Sequence, residues 1–119
     1  MVGEEIPCRA IGLFDQSARL DPDNVHTQLG MAWCFKRTNQ LDRAIDAMQQ
    51  AVQADGESAI AHYNLACYLS LGQRPQEACR HLSIALELDG SYRDKVLGEH
   101  DFDPIRKTPE FLAALTVQV

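Results

Sequence analysis

Slid against itself by 34 residues, the sequence superimposes Ala10, Ala44 and Ala78, then Ile11, Ile45 and Cys79, then Phe14, Met48 and Leu82. The same offset aligns Ser17, Ala51 and Ala85, then Ala18, Val52 and Leu86, the acids Asp21, Asp55 and Asp89, and the breakers Pro22, Gly56 and Gly90. Small, large and turn-forming positions therefore recur together. A stack of supersecondary units needs that pattern, because each unit buries its apolar face only against the next one.

Inside each unit the apolar residues recur at three and four positions, the period of a helix with one buried face. This spacing predicts helices over 25–37, 41–54, 59–71 and 75–88, joined by short polar turns that make neighbours antiparallel. Asn24 and Ser58 suit N-caps, and Pro75 suits a first helical turn, where its missing N–H would have no partner. Gly56 and Gly90 are expected to release the chain after a helix. Alanines such as Ala32, Ala44, Ala66 and Ala78 let paired helices approach, while Phe14, Phe35, Met48, Leu65 and Leu82 fill the space between them. A chain of 119 residues supports one core, so 1–119 is read as a single all-α domain. Its expected parts are a half repeat over 1–24, repeats over 25–58 and 59–92, and a degenerate repeat with a cap over 93–119.

These residues resemble the tetratricopeptide repeat, whose pattern runs W-x2-L-G-x2-Y, then A-x3-F, then P. Met31-Ala32 with Phe35, and Leu65-Ala66 with Leu69, stand where that pattern has L-G and the aromatic. Ala10 with Phe14, Ala44 with Met48 and Ala78 with Leu82 stand for A-x3-F, and Pro22 for the final proline. Gln28 and His62 replace the tryptophan, and glycine replaces the proline at 56 and 90. The resemblance, closest to short bacterial-type members, implies an α-α superhelix of antiparallel helix pairs with C-terminal capping helices. The stretch from Asp101-Phe102-Asp103 to Phe111 is similar to the closing segment of such arrays.

The two ends break the register. Residues 9–20 read as the second helix of a unit whose first helix is missing, and Ile6, Ala10, Ile11, Leu13 and Phe14 make a face wider than one neighbour covers. Self-association through that face, as a homodimer, is one expectation. After Gly90, Tyr92, Val96 and Leu97 predict one more first-type helix. Asp103-Pro104 and Thr108-Pro109 each read as a cap followed by a helix-opening proline, with Phe111, Leu112 and Leu115 turned onto the last repeat.

Charge and composition narrow the function. The net charge of -6 is spread along the chain with no Lys/Arg block, so nucleic acid is not an expected partner. No apolar stretch approaches the ~20 residues of a bilayer span, and the acidic start lacks a signal peptide, so a soluble, cytoplasmic protein without a membrane partner is expected. Cys8, Cys34, Cys67 and Cys79 form no C-x-x-C pair and read as buried free thiols. No phosphate loop, H-E-x-x-H or G-x-S-x-G motif is present. Glu77 and His81 read as a surface pair, and Glu99, His100, Asp101 and Asp103 as a solvated helix junction. No enzyme activity, cofactor or metal is expected.

The resemblance implies instead a concave peptide groove on the first helix of each unit. By register it is lined by His26, Leu29, Trp33, Lys36 and Arg37, and by Ile60, Tyr63, Asn64, Cys67 and Leu71. Trp33 and Tyr63 are the expected anchors for an apolar or aromatic segment, with Lys36 and Arg37 favouring an acidic flank. A two-carboxylate clamp of the kind some family members carry is matched only at Asn64, since Leu29, Trp33, Asp94 and Gly98 occupy its other positions. The expected function is protein or peptide binding; the alternative is a structural protein that self-assembles as a dimer through its unpaired N-terminal helix, with no peptide ligand.

Overall fold

The computed structural model describes residues 25–117. The half repeat over 1–24, with Cys8, Asn24 and the self-association residues Ile6, Ala10, Ile11, Leu13 and Phe14, lies outside the described residues. The chain divides into two compact units, Met1–Gly56 and Glu57–Val119. In the first, α1 (Val25–Arg37) packs on α2 (Leu41–Ala54). In the second, α3 (Ala59–Leu71) packs on α4 (Pro75–Leu88), followed by α5 (Tyr92–Gly98), a 3-10 helix (His100–Ile105) and α6 (Pro109–Val117). The described residues are all-α, and the four repeat helices run between the residues expected. Cys34, Cys67 and Cys79 are buried free thiols.

The 34-residue offset is also a property of the backbone. Asn39 and its equivalent Gln73 both adopt the left-handed region, with φ of 64° and 59°. Around them the Gln40 N–H donates to Phe35 O at 2.7 Å and the Asn39 N–H to Lys36 O at 3.2 Å. In the second unit the Arg74 N–H donates to Leu69 O at 2.9 Å and the Gln73 N–H to Ser70 O at 3.0 Å. Both turns thus end the first helix of each pair in a six-to-one and five-to-two bonded motif, here with no glycine at the left-handed position. Cores repeat likewise: Ala44, Met48 and Ala51 of α2, and Ala78, Leu82 and Ala85 of α4, are fully buried. Their alternation of small and large side chains lets the two helices of each pair pack closely.

Helix starts follow the expected chemistry more closely than helix ends. Ser58 Oγ accepts from the Ala61 N–H at 3.3 Å, and Pro75 opens α4. Gly56 and Gly90 do not act as left-handed caps, because neither has a positive φ. The chain leaves α2 and α4 through Asp55 and Asp89 in extended conformation, their N–H groups still bonded to Ala51 O and Ala85 O at 2.9 and 2.8 Å. Any residue adopts that exit, so glycine is not required there.

The C-terminal segment departs most from expectation. α5 forms but spans only 7 residues, and Tyr92 and Val96, one turn apart, take its buried face. Leu97, one position further round the helix, is 68% exposed rather than packed. Asp103-Pro104 does not start a helix: Pro104 sits inside the 3-10 helix, whose start is capped by Glu99 accepting from the Asp101 N–H at 3.1 Å. Thr108 does cap α6, accepting from the Phe111 N–H at 3.2 Å. Phe111 and Ala114 form its buried face, whereas Leu112, expected inward, is 54% exposed. The 3-10 helix packs on α3 and α6 on α4.

Candidate functional site

On α1, Leu29, Trp33 and Arg37 follow one another at four-residue spacing and so share a stripe. Leu29, Trp33 and Lys36 are half-buried and Arg37 is exposed. The Arg37 guanidinium lies over the Trp33 ring at 5.0 Å from its centroid. Such stacking orients the indole and keeps a cation beside it. His26, also expected on this face, follows Val25 at the start of the helix, and its side chain lies outside the described ones.

On α3 the equivalent stripe has a different fate. Tyr63 is only 6% exposed and Cys67 only 3%. The Tyr63 ring packs on Tyr92 of α5 at 4.7 Å and meets Phe102 of the 3-10 helix edge-on at 5.7 Å. Phe102 in turn contacts Phe111 of α6 at 5.6 Å. Ser70 Oγ, one turn past Cys67 on the same side, donates to Asp101 O at 2.7 Å and ties the 3-10 helix down. Tyr63 and Cys67 are therefore part of an aromatic core under the chain's own C-terminal segment, and do not line an open surface. Ile60 remains exposed, and Asn64 and Leu71 half-buried.

Arg106, which the sequence pattern does not single out, holds the closing segment together. It donates from Nη2 to Glu99 O at 2.6 Å, from both Nη atoms to Val96 O at 3.3 Å, and from Nε to Asp103 Oδ1 at 3.2 Å. Its guanidinium also lies 5.5 Å from the centroid of Phe111. The bond from Arg106 keeps the Asp103 carboxyl below the usual carboxylate range. The only signal for it in the sequence is its place three residues after Asp103.

The expected Glu77–His81 surface pair is replaced by two others. Glu77 is taken by Arg74, with Nη2 to Oε2 at 2.8 Å and Nε to Oε1 at 2.9 Å, a bond that lowers its pKa. His81 instead turns inward to His62, their Nδ1 atoms 3.0 Å apart and their rings stacked with centroids at 5.2 Å. One imidazole must donate and the other accept, so the pair needs at least one neutral ring. Burial first, then the charges of His62 and Arg80, pull the His81 pKa down to about 4. Cys79, also buried, is pushed up to about 11 by burial and by Glu110, so it is an unreactive thiol at neutral pH.

Two helical hairpins related by a constant offset, with a C-terminal segment closing the second, define an all-α helical-repeat protein. Residues 8–66, just under half the chain, match the tetratricopeptide repeat model. Tetratricopeptide repeats generally mediate protein–protein interactions and typically carry no catalytic activity. The chain is also similar to the TPR repeat-containing thioredoxin TTL4 of Arabidopsis thaliana, 32% identical over 77 residues. The match covers 64% of this chain and 11% of that relative's length. Among the described residues no helix is long and apolar enough to cross a membrane.

Proposed function

We propose that this chain is a protein-interaction module whose α1 stripe of Leu29, Trp33 and Arg37, with Lys36 beside it, takes an apolar or aromatic segment flanked by acidic residues. The observation that carries this reading is the contrast between equivalent helix faces. On α3 the stripe is covered by Tyr92 and Phe102. On α1 the corresponding positions carry an indole with a guanidinium stacked on it. Tryptophan and arginine are the residue types that most often dominate binding energy, and together they recognise an aromatic or apolar side chain next to a carboxylate. Ile60 and Asn64 offer a separate and weaker contact on α3, and Tyr63 and Cys67 serve the scaffold beneath the cap.

Selection of displayed random peptides against the full chain tests the reading. Enriched peptides should share an apolar or aromatic residue beside Asp or Glu, and should bind Trp33→Ala at least tenfold more weakly, with a smaller loss for Arg37→Ala. Peptides that bind the wild type and Trp33→Ala equally well would overturn it.

A further inference from the structure

The face of α3 beneath the closing segment gathers three potential metal ligands from distant parts of the sequence. Cys67 Sγ, a Glu99 carboxylate oxygen and an Asp101 carboxylate oxygen all lie within 4.8 Å of one another, the thiol buried and both acids half-buried. An acidic pair beside a cysteine would mean little alone. Here a second feature lies close by. The Tyr63 hydroxyl oxygen is buried and finds no hydrogen-bond partner among the described residues, on a side chain only 6% exposed. Tyr63 and Cys67 are one turn apart on α3, and after burial itself the charges that raise the Tyr63 pKa include those of Cys67, Glu99 and Asp101. A buried phenol left unpaired beside two carboxylates and a thiol is costly unless something bridges them.

We propose that Cys67, Glu99 and Asp101, with the buried Tyr63 hydroxyl nearby, bind one divalent metal ion of the zinc class. One sulfur and two oxygens suit a borderline-soft, four-coordinate ion better than calcium or magnesium, which take oxygen donors in larger numbers. Ligand atoms of a tetrahedral site stand somewhat closer than 4.8 Å, so binding draws the trio together. Cys67 releases its thiol proton to solvent on binding. Glu99 keeps its other duty, because one of its two oxygens accepts from the Asp101 N–H. Cys67 lies on α3, Glu99 caps the 3-10 helix and Asp101 belongs to it, so the ion pins the closing segment onto the second repeat. The proposal is independent of the α1 binding face.

Titration of the reduced full chain with CoCl2, and then displacement by ZnCl2, tests it. The expected result is a sulfur-to-cobalt charge-transfer band saturating at one ion per chain, lost in Cys67→Ala and bleached by zinc. Glu99→Gln and Asp101→Asn, at half-buried positions where folding is checked by far-ultraviolet circular dichroism, should each weaken binding at least tenfold. Zinc should raise the melting temperature of the wild type and leave that of Asp101→Asn unchanged. Absence of a saturable band in the wild type overturns the proposal. So does a band kept in Cys67→Ala, which would move the ion to another thiol, or wild-type affinity in the folded Glu99→Gln, Asp101→Asn double variant.

Discussion

The α1–α2 and α3–α4 hairpins have the same turns and matching small and large core positions, yet their first helices carry different chemistry at equivalent positions. Leu29, Trp33, Lys36 and Arg37 of α1 correspond, 34 residues on, to Tyr63, Cys67, Ser70 and Leu71 of α3. The α3 set is smaller at the centre. Cysteine in place of tryptophan, and serine in place of lysine, leave room for the 3-10 helix to settle, and Ser70 then bonds directly to its backbone. Tyr63 supplies the surface on which Tyr92 and Phe102 pack. A repeat scaffold thus makes faces of equal geometry, and a few side-chain volumes decide which face the chain keeps for itself.

The hairpin cores differ in their polar pairs as well. Gln28, buried in α1, donates from its amide to Gln50 of α2 at 3.2 Å. The position equivalent to Gln28 is His62, and His81 stands where the first hairpin has Ala47. One hairpin therefore carries an uncharged amide contact, and the other a pair of titratable rings.

The covering of α3 can be broken outright. Phe102→Ala removes a fully buried ring that touches both Tyr63 and Phe111, and should cost about 3–5 kcal/mol in guanidinium unfolding of the second unit. A loss below about 1 kcal/mol would mean that the cap is not part of the core. Installing the α1 side chain on α3 is the sharper version: Cys67→Trp should displace the 3-10 helix and cost about 1–3 kcal/mol, with new amide exchange over residues 99–106. If those amides stay protected, side-chain volume is not what separates the two faces.

Acid should separate the hairpins next. Because the folded pKa of His81 lies below its ordinary 6.5, the unfolded chain takes up a proton more readily. Its contribution is present above pH 6.5 and is lost as pH falls toward about 4. About 1–2 kcal/mol is expected, discounted for the solvent that reaches the ring. Melting from pH 7 to 4.5 should show this slope in the wild type, and a reduced one in the His62→Gln, His81→Ala variant that copies the first hairpin.

The smallest effect concerns the shared turn. Gln73→Gly should stabilise by about 0.5–1 kcal/mol, since a residue with a Cβ at φ 59° is strained where glycine is not. Asn39→Gly should gain less, because asparagine tolerates the left-handed region better. Equal gains at both sites, measured by thermal melts, would show that the two turns do not differ in strain.

Much of the molecule is legible in the order of its residues alone. The offset of 34, the alanines and the caps at Ser58 and Pro75 specify paired helices, because helix period and cap chemistry are local properties written in neighbouring residues. Legibility falls where register no longer helps. Leu112 reads as turned onto the last repeat together with Phe111, but only Phe111, one position before it, holds the buried face. Glu77 and His81 sit one turn apart, yet Arg74 claims the first and His62, on another helix, the second.

What the sequence determined by itself was the repeat, its helices and the residue types available at each first-helix face. Tertiary structure decided which of those residues meet. It buried Tyr63 and Cys67 under a segment some thirty positions later, brought Glu99 and Asp101 to that cysteine, and stacked Arg37 on Trp33. Local pattern reports a residue's face and period. Whether that face is covered depends on side-chain volumes contributed by distant elements, and periodicity does not encode those contacts.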